Sequence, residues 1–447
     1  MQSIQEKLQE AAVVSSSDDE EKFEDAKSSP ELEDRGLNMF AQKEKHIFVL
    51  SEAGKPIFSL NGEEDMMVSL GGLMQALVSF VADSGDTIRS IKTADTNIVF
   101  LVKSPLILVG VSSTGLHTSQ LTVQLLYIHS QIISVLTASQ LNRIFEQRRN
   151  YDLRRLLSGS ERLMTSLSQQ MDRDHSYFLS AVKCLPLPTQ DRNLISETVI
   201  RYAGKVKDVV FGILLADNQL ISLVRMKKYF IHPADLHLVF NLINSTEAFK
   251  HSESWTPLCL PKFDSSGFLH AHVSYLTDTS PACLLLVTTD RTAFFSLSEA
   301  KKKIVERLER HGAIATISSA LKSVNFTAES IDIGEMRHFL YKSRSSAQYI
   351  SPVYSPCYLL EENRRRLDTV YLSIQSRLVN PAAQQVKLCH HATDQEIVLG
   401  WITQSFELYS TFSPTASKLK IITAVNKLLR WIKNEENKMF ILSAPTF

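Results

Sequence analysis

With 447 residues, an apolar share of 44% and 48 acidic against 48 basic side chains, the chain has the makeup of an ordinary globular protein of roughly two to four domains. No apolar run approaches the ~20 residues that span a bilayer: the longest, around Ile98–Val111, is interrupted by Lys103, Ser104 and Pro105, so any membrane contact is expected to be peripheral. Charge is unevenly spread, because residues 1–45 hold 12 acidic and 6 basic groups and leave the remainder mildly basic, with nothing that points to nucleic acid.

The tail, residues 1–42, is rich in Asp, Glu and Ser and poor in aromatic and β-branched residues, so disorder is expected there. Ser15, Ser16 and Ser17 precede Asp18, Asp19, Glu20 and Glu21, which reads either as a solvated spacer or as a regulatory segment whose phosphorylation deepens the negative charge. An apolar hairpin follows, His46–Ser51 and Pro56–Leu60 around the Glu-Ala-Gly-Lys turn. The next element is a helix over Asp65–Ala82 with an apolar stripe at Met66, Leu70, Leu73, Met74, Leu77 and Val81. A second stripe of small residues, Ser69, Gly72, Ala76 and Ser79, lies roughly opposite. The Gly71-Gly72 pair costs the helix on the order of 1 kcal/mol per glycine relative to alanine, which close approach by another backbone offsets. Two readings stand: the helix simply lies on its own sheet, or its small-residue face, flanked by Met67 and Val78, receives a partner chain.

Strands are expected at Thr87–Lys92, Asn97–Lys103 and Leu106–Ser112, then a helix at Gln120–Thr137. The run LNRIFEQRRNYDLRRLLSG places Arg143, Arg148, Arg149, Arg154 and Arg155 on a helical extension, as a solvated face or as a surface for an anionic partner. These elements make a first domain of 43–180, with 181–203 as a linker. A second domain, 204–325, opens with strands Asp208–Ala216 and Gln219–Met226 joined by a tight turn at Asp217-Asn218. Pro233 starts a helix, strands follow near Gly267–Tyr275 and Ala282–Thr288, and an amphipathic helix stops at Gly312. A third domain, 326–447, is expected to hold strands at Phe339–Tyr349, Tyr354–Leu359, Val386–His391, Glu396–Thr403 and Phe406–Ser410, with helices at Arg364–Leu378 and Ala416–Asn434. The last helix sets Lys418, Lys420, Lys427, Arg430 and Lys433 beside an apolar line of Leu419, Ile422, Val425, Leu428 and Ile432. The fold class is therefore α/β in the α+β sense, antiparallel sheets flanked by helices.

Chemistry is sparse. No phosphate-binding loop, dinucleotide fingerprint or nucleophile elbow is present. Cys389-His390-His391 lacks a second ligand pair at zinc spacing, and His270 with His272 lacks carboxylate support, so no metal or other cofactor is expected. The five cysteines, Cys184, Cys259, Cys283, Cys357 and Cys389, never form a Cys-x-x-Cys pair, which argues for a reducing compartment rather than a disulfide framework. The first residues show no basic flank or apolar core of a secretory signal.

Particular segments resemble a known family. KHIFVLSEAGKPIFSLNGEED, SLGGLMQALVSFV, IVFLVKSPLILVGVS and NYDLRRLLSGSERL are similar to the SAND, or monensin-sensitivity, family of vacuolar fusion proteins, most closely from Lys45 to Leu167. DVVFGILLADNQLISLVRMKKYFIHPADLHLVFNLI and VLGWITQSFELYSTFSP extend the likeness over nearly all the chain beyond the tail. The resemblance implies three longin- or roadblock-like domains. It implies a non-enzymatic subunit of a heteromeric guanine nucleotide exchange factor, active on a late-endosomal Rab GTPase together with a longin protein of the calcium-caffeine-zinc-sensitivity family. Recruitment by an early-endosomal Rab and by phosphoinositide-containing membrane is implied as well, with a cytoplasmic protein brought peripherally to endosomes, lysosome or vacuole and a third regulatory subunit left open. Under that reading Met67, Ser69, Leu70, Gly71, Gly72, Met74, Ala76, Val78 and Ser79 are candidates for the partner and GTPase interface, and the two basic stretches for membrane. A trafficking scaffold without exchange activity and an enzyme with a site of dispersed residues are the alternatives.

Overall fold

The computed structural model describes residues 44–61, 64–94, 96–148, 151–323, 326–379 and 387–447. The tail 1–42 with Ser15, Ser16 and Ser17 lies outside them, as do Arg149 and the side chains of Met66 and Ser69. The chain divides into two compact units, one ending at Leu125 and the other running from Leu126.

In the first unit, strands β1 (Lys45–Ser51) and β2 (Pro56–Leu60) precede helix α1 (Glu64–Asp83), and β3 (Ser90–Lys92), β4 (Asn97–Lys103) and β5 (Leu106–Ser112) follow. They form one antiparallel sheet in the order β2-β1-β5-β4-β3. β1 and β5 are buried along their whole length, which explains why IFVL and LILVGV read as continuous apolar runs rather than alternating ones. Gly54 takes a φ of 73° in the β1–β2 turn, a conformation that suits glycine. One face of the sheet, with Phe48, Leu50, Phe100, Ile107, Val109 and Val111, packs on Met67 and Met74 of α1. The other meets the start of helix α2 (Thr118–Leu136): an added Cβ at Gly110 would lie 3.0 Å from the Leu121 side chain.

The second unit holds the rest of α2 and then α3 (Ala138–Gln147), α4 (Arg154–Leu157), α5 (Glu161–Met171), α6 (His175–Leu179), β6 (Val182–Cys184) and α7 (Thr189–Ala203). Next come β7 (Val209–Ala216), β8 (Gln219–Arg225), α8 (Pro233–Ser245), β9 (Ser254–Leu260), β10 (Asp264–Tyr275), β11 (Cys283–Thr288), α9 (Phe294–Arg310) and α10 (Ala313–Ser323). The chain finishes with β12 (Met336–Ser343), β13 (Gln348–Ile350), α11 (Glu361–Val379), β14 (Leu388–Ala392), β15 (Ile397–Ile402), β16 (Phe406–Phe412) and α12 (Lys418–Met439). All eleven strands join one sheet, ordered β14-β15-β16-β12-β13-β6-β8-β7-β11-β10-β9. Asp217 and Asn218 both have positive φ, 48° and 59°, so the β7–β8 hairpin closes in the primed sense that strand twist favours.

Several expectations differ from the structure. The stretch 181–203, read as a linker, is strand β6 and helix α7, whose Ile195, Val199 and Ala203 are buried in the second domain's core. β6 pairs in parallel with β8 on one side and β13 on the other, and so fuses two domains' sheets. The strand expected at Tyr354–Leu359 is a 3-10 turn at Pro356–Tyr358, where buried Tyr358 donates its hydroxyl to Glu396. Phe339–Tyr349 is two strands, β12 and β13, because the chain turns through Ala347 at a φ of 51°. β9 went unread, since Pro257 in its middle breaks the strand signal; it sits at an edge, where a missing donor is tolerated.

The seam at β6 is held by side chains as well as by strand pairing. The buried Arg192 guanidinium donates to the carbonyls of Ile221, Leu185 and Lys438, each at 2.9 Å. Gln348 accepts from Ile441 N at 2.8 Å and donates to Ile441 O at 2.9 Å. Burial lowers the Arg192 pKa, and the acceptor at Lys438 is a last-turn carbonyl of α12, the negative end of that helix.

Candidate interaction site

Helix α1 forms where its apolar residues recur at three- and four-residue spacing, and its inner side is set by that spacing. Met67 and Met74 are buried, and Leu70, Leu77 and Val78 are partly buried against the same core. Gly71 is buried too: a Cβ there would meet the Gly54 carbonyl oxygen at 2.7 Å. Its small size lets α1 lie against the β1–β2 turn of its own domain. Gly72 has nothing within 4 Å of the same position.

The candidate residues therefore separate. Gly72, Ala76 and Ser79 are on the outward side, with Ser79 accepting from Gln75 Nε2 at 3.0 Å. Met67, Gly71 and Met74 are inward, and Leu70 and Val78 lie at the margin of the core, so Met67 and Val78 do not flank the small-residue stripe on its exposed side. Leu73, expected in the core stripe, is exposed. The flanks of the small-residue stripe are Val68, 62% exposed, and Phe80, 68% exposed. Sequence reasoning missed both, although four-residue steps advance only about 40° round a helix and so keep Val68, Gly72, Ala76 and Phe80 on one side. An outward surface of two large apolar side chains around small ones offers area to bury and a close backbone approach, with no group suited to covalent chemistry.

The basic candidates are less unified than expected. Arg143 and Arg148 are exposed at α3 and its end, the helix stops at Arg148, and Arg154 and Arg155 belong to the separate α4 with Arg154 paired to Asp152 at 3.4 Å. On α12, Lys420 reaches Glu335 at 2.6 Å and Lys427 reaches Asp332 at 2.5 Å, so both brace a loop of their own domain. Lys418, Arg430 and Lys433 are exposed and make no ion pair among the described residues. The buried line of α12 is Ile421, Ala424, Val425, Leu428, Ile432 and Met439. Leu419, expected inside, is 75% exposed, and Ile422 is exposed beside it.

The histidines considered as ligands are used otherwise. His272 is buried against Glu253 at 3.1 Å, and His270 stacks on Trp255 with ring centroids 5.6 Å apart. Among the described residues no group of three or more His, Cys, Asp or Glu side chains is arranged to hold a metal ion.

Comparison with known proteins fits this architecture. Residues 45–167, 207–306 and 335–436 match the first, second and third longin domains of FUZ, MON1 and HPS1. A protein named SAND from Takifugu rubripes is 46% identical over 415 residues, covering 93% of this chain and 79% of that protein. Vacuolar fusion protein MON1 homolog A of Gallus gallus is 45% identical over 420 residues, covering 94% and 76%. Homolog B of Mus musculus is 36% identical over 423 residues, covering 90% and 76%. The chain belongs to the MON1/SAND family and carries its three longin domains.

Proposed function

We propose that this chain is one subunit of a two-protein guanine nucleotide exchange factor that activates a late-endosomal Rab GTPase and so drives endosome maturation and fusion with lysosome or vacuole. Its partner is a longin protein of the calcium-caffeine-zinc-sensitivity family. An early-endosomal Rab and phosphoinositide-containing membrane recruit the complex, and a third subunit regulates it. The observation that carries this reading is the outward face of α1, Val68, Gly72, Leu73, Ala76 and Phe80, on a domain whose own core is already complete without it.

Exchange requires no covalent step. A factor that binds the nucleotide-free GTPase more tightly than the loaded one lowers nucleotide affinity by the same ratio, through loops that hold phosphate and Mg²⁺. An apolar face able to seat a second longin domain and a GTPase loop meets that need. Family membership and the names of the relatives, vacuolar fusion proteins, support the setting. Among the described residues no single helix is long and apolar enough to cross a membrane, which agrees with peripheral recruitment through exposed groups such as Lys418, Arg430 and Lys433. Release of fluorescent GDP from a Rab panel, with this chain alone and with its longin partner, tests the reading. Acceleration restricted to the late-endosomal Rab and dependent on both chains is expected. An assembled complex without activity would move the protein to a scaffold role.

A further inference from the structure

Helix α12 covers its sheet with one side and is tied down along a second. Ile421, Ala424, Val425, Leu428 and Ile432 are buried in the third domain's core, and Lys420 and Lys427 reach Glu335 and Asp332 in the segment before β12. At about 100° per residue, the remaining flank holds Leu419, Ile422, Asn426, Leu429 and Lys433, which recur at steps of three and four residues in alternation. That is the seam spacing of a coiled coil, about 3.5 residues per step, and is narrower than the stripe of a helix lying on a sheet. Leu419 is 75% exposed and Ile422 58%, Asn426 and Lys433 are exposed, and Leu429 is partly buried at the margin of the core.

Because the two lysines fix one flank of α12 toward the segment leading into β12, the seam looks the other way along the sheet, toward β15 and β14. There the sheet is bare on the side of α12. Leu388 of β14 stands opposite Trp401 of β15 and is 54% exposed, and Trp401, edge-on to Phe406 at 5.1 Å, borders the same core as Leu429. The opposite side of these strands is filled, since an added Cβ at Gly400 would collide with Ile374 and Leu378 of α11. In the second domain, the sheet face that carries α9 carries α7 as well, with Ile195 and Val199 of one and Leu297 and Ile304 of the other in a single core. In the third domain, α12 is the one helix in the matching core among the described residues. Charge along the flank is mostly of one sign: Lys387, Lys418, Arg430 and Lys433 are exposed and make no ion pair among the described residues, against exposed carboxylates at Glu436 and Asp394.

We infer that this flank of α12, with the bare side of β14 and β15 next to it, is a docking groove for an acidic amphipathic helix of a partner protein. The helix lies along α12 with apolar residues on Leu419, Ile422 and Leu429, a polar residue opposite Asn426 and carboxylates beside Arg430 and Lys433. A seam of about 3.5 residues per step takes knobs from a second helix, and a central Asn sets the register of such a pair. The basic rim sets the sign of the partner's charge. A bilayer fits this flank less well, because binding to lipid scales with apolar area, and Asn426 interrupts an already narrow apolar line. The inference goes beyond the exchange reading and does not depend on it. While the partner is seated, Lys418, Arg430 and Lys433 are engaged by its carboxylates and are not open to lipid.

The test uses the full chain and a fluorescein-labelled helical peptide with leucine at its seam positions, one central asparagine, and glutamate on both flanks. The same seam with lysine flanks is the control. The glutamate peptide should bind, and the lysine control about tenfold or more weaker. Ile422→Asp should weaken the glutamate peptide about tenfold or more, and Lys433→Glu about fivefold. Register gives the readout that neither general stickiness nor lipid would produce: Asn426→Leu should lose affinity for the asparagine peptide and gain it for an all-leucine version. No binding of the glutamate peptide, equal binding by Ile422→Asp, or an unchanged preference in Asn426→Leu would overturn the groove. Binding to phosphatidylserine vesicles but not to the peptide would assign the flank to lipid, and self-association of wild type that Ile422→Asp abolishes would assign it to a second copy; either result also overturns it. Because Leu419 and Ile422 are exposed, the melting temperature of each variant should match wild type, which separates docking from folding. None of these readouts uses GDP release, so a failure of exchange counts against the proposed function alone.

Discussion

The two sheets of this molecule leave very different surfaces behind. The second and third longin domains share eleven strands, because the three-residue β6 adds to both β8 and β13, and Arg192 and Gln348 stitch the connecting segments underneath. The first domain keeps a separate five-stranded sheet, ends it at β2 and β3, and leaves one side of α1 uncovered. The difference shows where a repeat fold spends its adhesive surface. Two of the domains join through a shared strand, whereas the first leaves an apolar helix face exposed.

The largest effect is expected at the seam. Arg192→Ala removes a buried donor from the carbonyls of Leu185, Ile221 and Lys438, the last of which keeps Leu187 N at 3.1 Å, and should cost about 3 kcal/mol. Arg192→Lys should recover only part of that, since an ammonium cannot reproduce the planar fork. Chemical unfolding followed by hydrogen exchange checks both size and place: the second unit should lose protection while β1–β5 keep theirs. Loss of protection throughout would break the contrast between the two sheets.

Next comes Gly71→Ala, whose Cβ would press on the Gly54 carbonyl oxygen; a cost of about 1–3 kcal/mol confined to the first unit is expected, read by the same exchange experiment. A somewhat smaller loss, about 1–2 kcal/mol, is expected for Asp235→Asn, because an amide cannot accept from both Lys262 N and Phe263 N. Burial raises the Asp235 pKa from its ordinary value to about 6, so the folded state favours its protonated form. Its contribution to stability is thus fully present below about pH 4 and lost as pH rises through about 6. Denaturant midpoints measured across that window should fall in wild type relative to Asp235→Asn, and parallel curves would contradict the assignment.

The smallest effect has the opposite sign. Gly72→Ala meets no neighbour and should stabilise α1 by up to about 1 kcal/mol, while Gly72→Leu should fold normally yet weaken binding of the longin partner. Two adjacent glycines with opposite responses would sharpen the division between inward and outward sides. Equal destabilisation by both would erase it.

Much of the fold was legible because its signals are local. The β1–β2 and β7–β8 hairpins, helix α1 and the stop at Gly312 follow from turn residues and apolar spacing, and Gly312 does adopt a φ of 72° after α9. What escaped depends on distant partners. β6 and α7 hide behind a Pro-rich run, and only their neighbours β8, β13 and α12 make three residues of strand worthwhile. Lys420 and Lys427 looked like a membrane face until Glu335 and Asp332 came into reach from the loop before β12. At the candidate site the small-residue stripe was readable and its flanks were not: Met67 and Val78 pack on the core, and the exposed flanks are Val68 and Phe80.

The most direct measurement is GDP release from the late-endosomal Rab by the assembled pair of longin proteins, comparing wild type with Val68→Asp and Phe80→Asp. Both positions are exposed, so folding should be unchanged. Acceleration that needs both chains and falls by about tenfold or more in each variant is expected, from loss of apolar burial and a desolvated charge. Acceleration that is indifferent to both substitutions would contradict the claim that the outward face of α1 is where this protein works.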